Sequence, residues 1–318
     1  MSMKRYLLRF GYIGKQFSGL QRQIPRDRPN STDVATVQGV IEYGLKRMYP
    51  KNEVILQPSS RTDQGVHAIN SSAHVDLEFD KDYDAKFIVH ALNNFFTQTG
   101  VDVRILDAIE VSPYFSARAL PQWRQYLYRF AVLNRPTPPE GLRRPKNLYP
   151  LPITEAHRCH FVFDPNWDVD LARKASKIFE GTQDFRTFMS KAQGTPTDIK
   201  TVRTIMNFDL LPGKPFLNTV FSNDWTFWQV RVRGKSFLYK QVRRMVSSLI
   251  AVGGKKITGA DIRYMLENPD QSNWNPLIHT IPGHGLYLED IHYDPKDYWI
   301  EAPIDTTEPE VDDHEDNE

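Results

Sequence analysis

The chain has a single cysteine, Cys159, in 318 residues. No internal disulfide can form, and secretion is not expected. Its first residues run straight into an alternating pattern with no apolar signal core, and no apolar run approaches the roughly 18 to 20 residues of a membrane span. A protein working inside the cell and off the membrane is expected, with cytoplasm, nucleus and mitochondrion all open. Gly-rich loops of the Walker or dinucleotide type, which cradle phosphates, are missing. His157, Cys159 and His160 in EAHRCHF have no second ligand pair at zinc-like spacing, so they read as incidental surface or packing groups. No cofactor and no metal are expected. Residues 301–318 hold nine Asp or Glu and neither Lys nor Arg. A segment so acidic and so poor in apolar residues reads as a disordered tail. Setting it aside turns the net charge of +1 into +10 on residues 1–300. That excess favours a polyanionic partner, although cations that only keep a surface solvated would give the same count.

The apolar periodicity alternates between two and 3.6 residues. Residues 3–12 read as a strand, 33–49 as a helix (Val37, Val40, Ile41, Leu45 and Met48 on one face), and 53–58 and 71–79 as strands. A helix over 84–97, with a stripe at Phe87, Ile88, Ala91, Leu92 and Phe95, precedes a strand over 101–111. The order β-α-β-β-α-β is that of the ferredoxin-like split βαβ. The second half repeats it more loosely: strand 125–133, helix 168–180, strands 201–211 and 225–233, helix 236–252, strand 285–292. A short extra helix over 259–267 precedes the last strand. The expected fold is therefore α+β: two ferredoxin-like halves, with antiparallel or mixed sheets side by side and a groove between them, the usual place for a site. The domains are expected at 1–112 and 113–298, with the acidic tail from 299 to 318. Residues 134–166, Pro-rich and partly basic, read as an insertion that makes a surface excursion.

Three stretches gather groups that could do chemistry. In SSRTDQGVHA (59–68), Asp63 lies between two predicted strands, flanked by Arg61 and Gly65. A lone aspartate there would most simply cap backbone N–H groups in a turn, with Gly65 supplying a positive φ and Arg61 a surface ion pair. In RQYLYRF (124–130), Tyr126, Tyr128 and Phe130 alternate along a strand. Strand aromatics usually fill a core, but a ring that met the groove could stack on a nucleobase for roughly 1 to 3 kcal/mol. In the predicted helix over 236–252, Arg243 adjoins the apolar stripe of Phe237, Val242, Met245, Val246, Leu249 and Ile250. Pointing inward, it needs a carboxylate, for which Asp63 is available; otherwise it snorkels to water. Lys240 and Arg244 can reach solvent and read as substrate-binding cations.

Taken together, GLQRQ (19–23), TVQ (36–38), SRTDQGVHA (60–68), FSAR (115–118), RQYLY (124–128), EGTQDFRTF (180–188), FLYKQVRRMVSSLIAVG (237–253) and HGLYL (284–288) resemble the TruA family of tRNA pseudouridine synthases in both order and spacing. Within it they resemble the eukaryotic tRNA pseudouridine synthase-like 1 group. The resemblance implies two ferredoxin-like halves around a basic cleft, tRNA or another structured RNA as partner, and a homodimer. It makes Asp63 the catalytic aspartate, Arg61 the residue that helps expel the target uridine, Tyr126 the ring against the flipped base, and Arg243 the partner of Asp63. Gly285, Leu286 and Leu288 would line the pocket. His67 would order the loop or touch phosphate. The sequence departs from the commoner motif at Ser60 and Gln64, where Gly and Ala are usual, and at Leu20, where Trp is usual. Uridine-to-pseudouridine conversion breaks N1–C1′ and joins C5 to C1′, with no redox carrier, phosphate donor or metal, so the missing motifs agree with it. Two other classes remain open at this stage: an RNA-binding or chaperone module of the same fold without catalysis, and a metal-dependent nuclease using Asp63 and His67.

Overall fold

The computed structural model describes residues 3–23, 33–81, 83–134, 151–190 and 199–301. Most of the acidic tail expected at 299–318 and the first part of the insertion at 134–166 lie outside the described residues. Those residues build a mixed α+β fold on one large sheet of ten strands. The strands are β1 (Lys4–Tyr12), β2 (Gln57–Pro58), β3 (His67–Leu77), β4 (Val103–Val111), β5 (Trp123–Leu133), β6 (His160–Val162), β7 (Gly181–Asp184), β8 (Val202–Pro212), β9 (Trp225–Gly234) and β10 (Leu286–His292). Five α-helices pack with it: α1 (Val37–Lys46), α2 (Ala85–Thr99), α3 (Val169–Ser176), α4 (Gln241–Gly253) and α5 (Gly259–Glu267).

The main path of the sheet is β4-β1-β3-β10-β5-β9-β8-β7, with β2 beside β3 and β6 beside β5. The pairs on either side of the middle are antiparallel. The middle itself is a short parallel pairing, in which Tyr287 stands opposite His67 and Leu288 opposite Ala68. The two predicted sheets are thus one continuous sheet, joined by a two-residue seam just after the Asp63 loop.

Local signals explain the helix starts. Thr36 accepts from the Gly39 N–H, Asp84 from Phe87, Asp168 from Asp170 and Leu171, and Thr258 from Asp261, each satisfying a donor that a first helical turn leaves without a partner. Helix α4 buries Val242, Met245, Val246 and Leu249 against the core, each contributing about 1.5–3 kcal/mol by leaving water. Residues 236–240, expected in the same helix, are not helical. Lys240, the N-cap, sits in the left-handed region at φ 58°, which turns the chain from strand β9 into α4 and ends any helix before it.

Other boundaries also move. The strand expected over 53–58 shrinks to Gln57–Pro58, because Leu56 spends its N–H on Glu42 Oε1 and its carbonyl on Gln38 Nε2, both at 2.9 Å, and has neither left for a ladder. Strand β3 begins at His67, four residues early. Residues 151–166 only partly match a surface excursion: His160–Val162 adds strand β6 parallel to Phe130–Val132, and both Glu155 and Cys159 are buried. Among the described residues, no helix is long and apolar enough to cross a membrane.

Candidate active site

The loop between β2 and β3 is fixed from below and from both sides. Ser59 donates its N–H and its hydroxyl to the Ser72 carbonyl at 3.0 and 2.8 Å. Thr62 is buried and bonds through Oγ1 to the Tyr12 hydroxyl at 2.7 Å, while its carbonyl accepts from Leu20 N–H at 3.1 Å. Val66 N–H closes back on the Asp63 carbonyl at 3.2 Å, and Gly65 takes φ +76° within that turn. A side chain at Gly65 would strain this backbone, so the turn that ends the Asp63 loop requires glycine.

Helix α4 supplies the partner. Arg243 Nη1 donates to Asp63 Oδ2 at 2.9 Å, and its Nε donates to the Ile281 carbonyl at 2.9 Å. The side chains are 13 % and 24 % exposed respectively, so the pair is neither sealed nor open. A guanidinium held at two of its donors fixes the direction of the carboxylate it meets. Tyr126 belongs to the same constellation: it is 7 % exposed, meets Phe237 edge-on at 5.1 Å, and feels the charge of Asp63. Burial pushes its phenol up from the ordinary value, with the Asp63 charge adding to the rise while Arg124 and a hydrogen bond to the Ser60 side chain oppose it. Tyr128, on the same strand face, is fully buried and donates to the Pro282 carbonyl at 2.9 Å. Of the two tyrosines, Tyr128 is committed to that carbonyl, whereas Tyr126 is the one that responds to the Asp63 charge.

Arg61 is exposed on the rim of this loop. Exposed Arg118 and Lys235 lie on segments whose carbonyls converge on the Arg124 guanidinium, at 3.0 and 2.6 Å. Lys240 is partly exposed, with its Nζ 4.8 Å from the Tyr239 ring centre.

Three sequence-derived assignments change. His67 is fully buried: Nδ1 accepts from Gly14 N–H at 3.0 Å, Nε2 faces the carbonyls of His157 and His284 at 2.9 and 3.2 Å, and the ring stacks on Tyr287 at 4.6 Å. Burial pushes it below the ordinary histidine value. With both nitrogens engaged it orders the seam of the sheet and has no face left for phosphate. Leu288 is fully buried opposite Tyr126, and Leu286 nearly so opposite Tyr128, so they back the tyrosine wall rather than face a ligand. Gly285 is there because a Cβ would fall 2.7 Å from both the Tyr128 ring and the Arg129 carbonyl. Arg244, expected in solvent, donates through Nη1 to the Thr187 and Met189 carbonyls at 2.9 and 2.8 Å and lies 4.4 Å over the Trp274 ring. It ties α4 to its neighbours.

Sequence reasoning passed over Arg124. Its Nε donates to Ser60 Oγ at 2.8 Å and its Nη2 to the Ser59 carbonyl at 2.8 Å. The signal was present: Arg124 sits two residues before Tyr126, hence on the same strand face. Among the described residues, no group of three or more His, Cys, Asp or Glu could hold a metal ion.

The loop thus presents a partly open carboxylate held by a guanidinium from α4, with exposed Arg61 two residues before it. Comparison with known proteins narrows the class. The tRNA pseudouridine synthase family description matches residues 175–294. The tRNA pseudouridine synthase-like 1 of Xenopus laevis is 34 % identical over 297 residues, covering 92 % of each chain. That of Homo sapiens is 30 % identical over 91 % of this chain and 90 % of its own. The tRNA pseudouridine synthase A of Streptococcus uberis is 32 % identical over 92 % of this chain and 100 % of its own. The chain belongs to the tRNA pseudouridine synthase family, a family of isomerases.

Proposed function

We propose that the protein isomerises uridine to pseudouridine in tRNA, with the Asp63 carboxylate acting on a uridine turned out of its stack. The observation that carries this reading is the 2.9 Å Arg243–Asp63 pair beside Tyr126. The reaction breaks N1–C1′, forms C5–C1′, takes one proton from C5 and leaves one on N1, so it balances with nothing added. The Asp63 carboxylate attacks or stabilises an electron-poor centre, and Arg243 holds it in place. Extruding the base costs a few kcal/mol. Arg61 fills the space the base leaves, and the Tyr126 ring stands against the extruded base, offsetting that cost.

Two ferredoxin-like halves, 1–112 and 113–298, around a central basic cleft are part of the same proposal. The orders β4-β1-β3-β2 and β10-β5-β9-β8, each with antiparallel pairings, support it, as do Arg61, Arg118, Lys235 and Lys240 around the loop. RNA binding to such a rim weakens steeply with salt.

The test is to incubate the purified protein with unmodified tRNA transcripts and with total cellular RNA, and to assay pseudouridine. Formation by wild type and its loss in Asp63→Ala are expected. No product on any RNA would overturn the reading and leave a binding module in its place.

A further inference from the structure

Residues 281–283 are wedged between helix α4 and the turn that ends the Asp63 loop. On the helix side, the Ile281 N–H donates to the Ser247 hydroxyl at 3.0 Å, and the Ile281 carbonyl accepts from Arg243 Nε at 2.9 Å. Ser247 in turn donates to the Arg243 carbonyl at 2.7 Å, so its one proton and a lone pair are both in use. The next carbonyl, that of Pro282, accepts from the Tyr128 hydroxyl at 2.9 Å. The loop side has no slack: a Cβ on Gly283 would fall 2.9 Å from the Gln64 carbonyl and 3.1 Å from Val66 Cγ2. Ser247 and Ile281 are both buried.

We propose that Ser247 is a positioning residue for the reaction: by holding the Ile281 N–H it sets the carbonyl to which Arg243 Nε is tied, and with it the line along which Arg243 Nη1 meets Asp63. The proposal rests on the reading above. Three features give it content. The guanidinium is planar and rigid, so a carbonyl that fixes Nε also constrains the direction of Nη1, which donates to Asp63 Oδ2 at 2.9 Å. Ser247 stands one helical turn after Arg243, which puts both side chains on one face of α4 and against the same residue, Ile281. A buried N–H that loses its acceptor is costly enough to make its segment shift, and a shift at Ile281 is not absorbed on the far side, where Gly283 already lies against Gln64 and Val66. Ser247 thus bears on both ends of the ion pair while touching neither the carboxylate nor the substrate.

The experiment compares Ser247→Ala with Ser247→Thr and Ser248→Ala in the full chain on an unmodified tRNA transcript, measuring kcat, KM and thermal melting. Ser248 is fully buried and donates to the Arg244 carbonyl at 3.1 Å, so Ser248→Ala removes the same kind of bond within the helix and leaves Ile281 its partner. Ser247→Ala is expected to lower kcat about tenfold, the effect of one misdirected charged hydrogen bond, with KM within about twofold. Ser247→Thr keeps the hydroxyl, and the cavity of about 550 Å³ that residue 247 helps to line has room for the added methyl; its kcat is expected within about threefold of wild type. Ser248→Ala is expected to keep kcat within about twofold, whatever it does to melting. In an Arg243→Lys background, Ser247→Ala should add less than about twofold, because the guanidinium whose direction it sets is gone. If Ser247→Ala does not fold, Ser247→Cys, of similar volume and weaker in hydrogen bonding, replaces it with the same expectation. Ser247→Ala at the wild-type rate, Ser247→Thr or Ser248→Ala as slow as Ser247→Ala, or an undiminished loss in the Arg243→Lys background would each overturn this proposal while wild-type turnover leaves the functional reading standing. An inactive wild type would overturn both.

Discussion

Two arginine–carboxylate pairs span the molecule, and they are built for opposite ends. Arg243–Asp63 joins α4 to the β2–β3 loop at 2.9 Å, with a quarter of the aspartate side chain open. Arg129–Glu155 joins β5 to the insertion at 2.8 Å, with Glu155 fully enclosed. The second carboxylate is enclosed on both oxygens: Oε2 faces Arg129 and Oε1 accepts from the Phe216 backbone, and Arg129 lies 3.9 Å over the Phe216 ring while donating to the Arg158 and Lys214 carbonyls. A substrate cannot reach Glu155. Similar chemistry therefore yields a sealed cross-link where both partners are enclosed, and a carboxylate open to contact where it keeps a quarter of its surface. Desolvation makes the sealed pair costly to break and of little value for chemistry, whereas partial exposure leaves Asp63 cheaper to remove and, on the proposed reading, the group on which turnover depends.

The largest effect that separates the two is Asp63→Asn. Pseudouridine formation is expected to fall by about 10³-fold or more, the scale of losing a nucleophile or a charge stabiliser, with melting temperature and RNA affinity nearly unchanged. Activity within tenfold of wild type would place the chemistry elsewhere. Arg243→Lys comes next. Lysine cannot serve both Asp63 and the Ile281 carbonyl with a planar fork, so turnover should fall by about 10- to 100-fold and stability by roughly 1–3 kcal/mol. Wild-type values in both assays would contradict the role given to this pair. Glu155→Gln inverts the pattern: stability should drop by about 3 kcal/mol, because Arg129 stays buried without its carboxylate, while turnover per folded molecule stays within about twofold. A loss of turnover with no change in melting would show the insertion acting on the site directly.

How far the sequence discloses each pair follows from distance and regularity. The Arg243 side was legible because helical phase puts residue 243 beside the stripe 242, 245, 246 and 249, and an inward arginine demands an acid. Asp63 was legible because the residues around it form a recognisable motif. Glu155 was not, since it lies on a 3-10 turn after a Pro-rich segment, where no period marks a buried face. His67 was misplaced for a related reason. Alternation in HAINSSAHVDL is broken by consecutive small residues, Ser71, Ser72 and Ala73, all buried, so the true start of β3 at His67 was hidden. The merging of two sheets into one also left no local trace, because a parallel seam of two residues imposes no pattern on either strand.

The smallest effect concerns pH and belongs to the sealed region. Burial holds His160, on β6 within the insertion, down to about 4, and His74, on β3, also to about 4. The unfolded histidine titrates near 6.5. A folded value below the unfolded one means that the unfolded chain takes up protons first. The stabilisation is therefore complete above about pH 6.5 and is lost as pH falls towards about 4, with each histidine adding a slope of up to about 1.4 kcal/mol per pH unit. Urea unfolding between pH 7 and pH 4.5 should show this slope, and His160→Gln should flatten it by roughly one histidine's worth. An unchanged slope in His160→Gln would mean that this ring is as well solvated in the fold as in the unfolded chain. The acid sensitivity would then reside around His74, which accepts from the Ala117 N–H at 3.1 Å, on the side of the molecule that holds the Asp63 loop.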